Sequence, residues 1–134
     1  MATSALCTDE EISWMVHNFY AKVRRDEVLG PIFNRHISDW DHHLAKLVDF
    51  WSSILCGTGR FSGTPMPKHA ALPGLNAELF RRWLSLFHET TQQLDNEAMR
   101  EQANSMAQRI AQSLWYGYQL QRNPDQFPAE LSDD

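Results

Sequence analysis

The chain has little of what builds covalent or metal-clustered scaffolds. Cys7 and Cys56 are its two cysteines in 134 residues, far apart and in no CxxC pair. That usage carries no disulfide framework, zinc finger or thioredoxin-like motif, and both residues read as ordinary thiols. No apolar run approaches the roughly 20 residues of a membrane span. The opening MATSALCTDEE is acidic where a signal peptide would be basic, so a cytoplasmic protein is expected. The formal net charge is −5, and the basic residues are scattered in ones and twos. Neither a nucleic-acid footprint nor a polybasic membrane surface is expected. No internal repeat is found, and nothing alternates with period two over a useful length, which removes strands from the reading.

What the chain does have is aromatic bulk: five Trp, seven Phe and three Tyr. A single domain of this length buries roughly two-thirds of its unfolded surface, enough to enclose these rings and something sizeable and flat among them. The fold class is all-α. Thr8 to Glu11, TDEE, fits a capping box, and Ile12, Val16, Phe19, Tyr20 and Val23 follow at helical spacing to about residue 25. VLGPIFN reads as a turn around Gly30 and Pro31. SDWD, residues 38–41, starts a second long helix ending at Gly57. Trp40, Leu44, Leu47, Trp51 and Leu55 form one apolar stripe of it, and His43, Leu47, Phe50, Trp51 and Ile54 an overlapping one. A third long helix runs from near Asn76 to about Gln93, with Leu79, Phe80, Trp83, Leu84, Leu86 and Phe87 inward. A fourth covers about Asn96 to Leu120, with Met99, Ala103, Met106, Ile110 and Leu114 on one face. The acidic end, RNPDQFPAELSDD, reads as a frayed tail.

Between the second and third of these helices lies TPMPKHAALPGL, where His69 sits among Pro65, Pro67 and Pro73. A lone loop histidine is usually a surface or satisfied polar residue. Here the prolines stiffen the segment at the edge of whatever cleft the helices enclose. One neutral imidazole is enough to hold iron that a porphyrin already chelates. No CxxCH is present, so such a haem would be held non-covalently. An opposite wall needs polar groups, and Tyr20, His43 and Trp83 each offer a donor from the inward stripe of a different helix. Each taken alone reads as core or edge before it reads as functional, and His43 fits plain core least, because a buried imidazole must find partners.

The blocks FYAKVRRDEVLGPIFN, DWDHHLAKLVDFWSSIL, FSGTPMPKHAAL and FRRWLSLFHETT, followed by RIAQSL, resemble the group III truncated haemoglobins of bacteria in order and spacing. The resemblance covers about residues 10–120. It implies a truncated globin fold, a two-over-two helical sandwich around haem b, over residues 1–120, with 121–134 as the tail. By the same resemblance His69 is the proximal iron ligand, and Tyr20, His43 and Trp83 are the distal residues. Phe33, Leu47, Phe50 and Trp51 would contact the ring or line the distal cavity, and Lys68 and Arg82 are propionate candidates by position. The spacing favours His43 as the distal histidine, and a one-residue shift would exchange it for His42. The Gly-Gly pairs of groups I and II are absent.

The activity implied is reversible binding of O2, CO or NO, in the manner of an oxygen carrier. The same pocket suits nitric oxide dioxygenation or peroxide reduction. That alternative needs an external reductase, because the chain has no flavin or nicotinamide domain. A di-iron bundle site would need paired Glu-x-x-His motifs. The chain offers one loose match, Asp39 to His42, and no second.

Overall fold

The computed structural model describes residues 6–59, 76–122 and 125. The TPMPKHAALPGL segment, with Lys68 and His69, lies outside the described residues, as does all of the acidic end beyond 122 except residue 125. Helix α1 is Asp9–Arg25. Thr8 Oγ1 accepts from the Glu11 backbone N–H at 3.1 Å and Glu11 Oε1 accepts from that of Thr8 at 2.8 Å, the reciprocal box expected of TDEE. Its buried face adds Met15 to the five residues the spacing selected.

The VLGPIFN stretch is a helix rather than the turn that Gly and Pro suggested: α2 spans Leu29–His36. Three features explain the difference. Pro31 falls in the first turn, where a missing N–H breaks no intrahelical bond. The start is capped from a distance, since Asp26 Oδ2 accepts from the Val28 and Leu29 backbone N–H groups at 3.0 and 2.8 Å. At Gly30 a Cβ would lie 2.6 Å from the Arg24 carbonyl oxygen, so glycine serves a close approach to α1.

Helix α3, Trp40–Cys56, is capped by Asp39 Oδ1, which accepts from the His42 N–H at 3.1 Å, and ends on Gly57 at φ 64°. Helix α4 is Ala77–Thr91, with Asn76 Oδ1 accepting from Leu79 N–H at 3.0 Å. Helix α5 is Glu97–Arg122, with Asn96 Oδ1 accepting from Met99 N–H at 3.1 Å. It runs slightly past the expected end near Leu120.

Helix α1 packs on α2, α3 and α4, while α5 pairs with α4 and touches α3. Two layers of two long helices result, with α2 set against α1. Ile12, Met15, Phe19 and Val23 meet Leu44, Trp51 and Leu55 of α3, Phe87 of α4, and Met99, Ala103 and Ala107 of α5 in one core. On α5 the fully buried line steps by four through Met99, Ala103, Ala107 and Ala111, while Met106 and Ile110 of the expected stripe are only half-buried. Small side chains at these steps let α4 and α3 approach the α5 backbone closely. No helix among the described residues is long and apolar enough to cross a membrane.

Candidate functional site

The amphipathic pattern of α1 turns Tyr20 inward, where its side chain is 5% exposed. The Trp83 indole of α4 stands beside the phenol and favours its ionised form, as a donor would. Burial holds the phenol proton far above its ordinary range, and the indole opposes that only in part. A phenol that keeps its proton has it to donate. Phe19 fixes the pair from the core side, edge-on to the Tyr20 ring at 4.7 Å and to the Trp83 ring at 5.2 Å.

The start of α3 brings the imidazole. His43 is half-buried, with its ring perpendicular to Tyr20 at 6.4 Å and to Trp40 at 5.7 Å. His42 is exposed, and its backbone N–H belongs to the Asp39 cap. Position therefore places His43, not its neighbour, beside the phenol. Trp40 frames this edge: its Nε1–H donates to Asn34 Oδ1 at 3.0 Å, and the Arg24 guanidinium lies 4.6 Å over its ring. The sequence placed Trp40 on an apolar stripe without linking it to His43. Nothing in its spacing distinguishes a core tryptophan from one at a site's rim.

The apolar candidates divide. Phe33 is half-buried, 6.1 Å from the Tyr20 ring, and Leu47 and Phe50 are half-buried on the second stripe of α3. Trp51, by contrast, is 2% exposed and sits in the core, stacked on Phe87 at 5.0 Å, with Phe87 stacked in turn on Trp83 at 5.9 Å. It backs the site through that stack. Arg82 donates from Nε to Asp26 Oδ2 at 2.7 Å, tying α4 to the corner between α1 and α2. This bond, foremost, and the Leu29 and Val28 N–H groups hold the Asp26 carboxyl below the usual range against the opposing effect of burial.

Trp115 was not singled out from the sequence. It packs with Phe80, Ala111 and Leu114 in a second apolar cluster that also includes Trp83, and its buried Nε1–H has no acceptor among the described residues. Among the described residues no three His, Cys, Asp or Glu side chains come together to hold a metal ion. The described part of the site is thus a set of hydrogen-bond donors on an aromatic wall, suited to binding rather than to holding a bare ion.

A family model described as bacterial-like globin matches residues 4–115. The chain belongs to the bacterial-like globins. A curated relative, the group 3 truncated haemoglobin of Campylobacter jejuni, is 40% identical over 116 residues, which is 81% of this chain and 91% of the relative. The crystal structure of the group III truncated haemoglobin from Campylobacter jejuni superposes with a TM-score of 0.75 at 40% identity, over 85% of this globin and 92% of that chain. The two-over-two helical layers are accordingly a truncated globin fold.

Membership of this family implies a haem, and the described residues of the globin fit one. Half-buried Phe33, Leu47 and Phe50 offer apolar surface to a flat ring, the buried Tyr20 phenol ring lies 6.1 Å from that of Phe33, and the Trp115 indole is a buried donor without an acceptor among the described residues.

Proposed function

We propose that this globin holds haem b without covalent attachment, through His69, and binds O2, CO and NO reversibly beside Tyr20, Trp83 and His43, in the manner of an oxygen carrier. The observation that carries the reading is the buried Tyr20 phenol, with Trp83 beside it and the His43 ring perpendicular to it at 6.4 Å. The haem, when bound, supplies an iron centre for a diatomic ligand. Tyr20 would give its own proton as a hydrogen bond to the ligand, and the Trp83 N–H would be the second donor. Hydrogen bonds to a partly charged atom contribute about 1.5–3 kcal/mol each, or one to two powers of ten in release rate. His43, at the half-exposed edge by Trp40, gates entry. Phe33, Leu47 and Phe50 exclude water from the ring. Lys68 takes the propionate contact, Arg82 being engaged by Asp26.

The decisive experiment is an absorption spectrum of the purified protein with haem. A Soret band that sharpens and shifts when the ferrous form takes CO supports the reading, and the absence of a Soret band after haem addition removes it. A second reading, nitric oxide dioxygenation or peroxide reduction with an external reductase, draws on the same donors, since a retained phenol proton beside an imidazole also suits turnover. Nitrate accumulating catalytically with added reductase would favour it over reversible binding.

A further inference from the structure

Cys7 and Cys56 take no part in the site above. Cys7 lies just ahead of α1 and Cys56 is the last residue of α3, yet their Sγ atoms stand 3.4 Å apart across a sequence separation of 49. Both are free thiols. A disulfide bond is about 2.0 Å long, so closure asks the two sulfurs to approach by about 1.4 Å. The chain around Cys7 is fixed on both sides. Asn96 Nδ2 donates to the Leu6 carbonyl at 2.9 Å, and Thr8 is held in its capping box with Glu11. Cys56 Sγ also donates to the Cys7 carbonyl at 3.6 Å. Contact between two sulfurs whose backbone is held in this way is a built arrangement, and the pair differs in access: Cys7 is 5% exposed, whereas Cys56 is only half-buried. Burial, then Cys56, and then the acidic Glu11 and Asp9 push the Cys7 thiol up to about 12. Outside oxidants therefore meet Cys56 first.

We propose that Cys7 and Cys56 form a redox-active dithiol site whose co-reactant is a small-molecule disulfide of the glutathione class, with Cys56 as the entry sulfur and Cys7 as the resolving one. The Cys56 thiolate attacks one sulfur of the co-reactant, forming a mixed disulfide and expelling one thiolate. Cys7 then loses its proton to that thiolate or to solvent and attacks the Cys56 sulfur, forming the Cys7–Cys56 bond and expelling the second thiol. Two protein thiols are oxidised by two electrons, and one small disulfide is reduced to two thiols. The bond ties the chain ahead of α1 to the end of α3, next to the point where the backbone turns at Gly57 and heads for the His69 segment.

The test equilibrates the full-length, haem-loaded protein without oxygen in mixtures of oxidised and reduced glutathione, followed by acid quench, alkylation and mass analysis. The expected product is a monomer two hydrogens lighter, carrying no alkyl group, with the Cys7 and Cys56 peptides linked. Its thermal midpoint rises by roughly 5–15 °C, as closure of a long loop predicts. Cys7→Ser should stop at a stable glutathione adduct on Cys56, and Cys56→Ser should leave Cys7 unmodified. Two alkylated thiols in every buffer, a glutathione adduct on the parent without the internal link, or disulfide-linked dimers would each overturn the site. Rapid adduct formation on Cys7 in Cys56→Ser would overturn the assigned order.

Discussion

Helix α4 carries polar side chains into the interior at two places, and their partners differ. Near its end Thr90 and Thr91 are fully buried; Thr90 Oγ1 donates to the Leu86 carbonyl at 2.8 Å and Thr91 Oγ1 to that of His88 at 3.0 Å. Asn104 Nδ2 then donates to Thr91 Oγ1 at 2.7 Å and to the Arg100 carbonyl at 2.8 Å. Every partner in that set is local or on the facing helix, and the set closes on itself. Two turns earlier, Trp83 stands beside a buried phenol that has a proton to give, near a half-buried imidazole and half-buried apolar rings. Burial of polar groups alone does not separate structure from function here. The difference lies in whether the group's donors are used up inside the protein.

The largest effect belongs to the residue that would give the open set its purpose. His69→Gly is expected to lose haem or hold it weakly, with added imidazole restoring part of the ferrous spectrum. Tight retention of haem with an unchanged iron–histidine stretch would move the axial role to His43 or His42. Next comes the corner that positions α4. Asp26→Ala removes the cap on α2 and the Arg82 ion pair together, and urea unfolding should show a loss of about 1–3 kcal/mol. Because the folded carboxyl titrates below its unfolded value, its contribution is present above about pH 4 and is lost as pH falls through the folded pKa. The parent should therefore lose stability more steeply than Asp26→Asn in acid, and parallel acid curves would show that the pair is weak.

The closed set is the control. Thr91→Val should cost about 1–2 kcal/mol of stability while leaving O2 release unchanged; altered release would mean that the two regions of α4 are coupled. The smallest effect is expected at the rim. His43→Ala should speed CO entry a few-fold with O2 release little changed, measured by flash photolysis, and an unchanged entry rate would remove its gating role.

The long helices were legible because each announces its own start: Thr8, Asp39, Asn76 and Asn96 all cap as their positions suggest. Helix α2 was not, because its cap comes from Asp26 upstream and its Gly-Pro pair imitates a turn. The meeting of Tyr20, Trp83 and His43 was legible from inward stripes on three helices. The place of Trp51 was not, since it lies on both stripes of α3 and only packing on Phe87 assigns it to the core. Ala107 and Ala111 were not legible, because small residues carry little hydrophobic signal even where they let helices touch. The contact between Cys7 and Cys56 depends on how α3 returns to the start of the chain, which no local pattern encodes.

The most direct test of the central claim is stopped-flow O2 release from the haem-loaded parent, Tyr20→Phe, Trp83→Phe and the double variant. If the phenol is the principal donor and the indole acts partly through it, each single change should speed release by about 10- to 100-fold. The double variant should then fall short of the product of the two, because Trp83 acts on the phenol that the first change removes. Release rates equal to the parent in both single variants would contradict the account and return Tyr20 and Trp83 to the core.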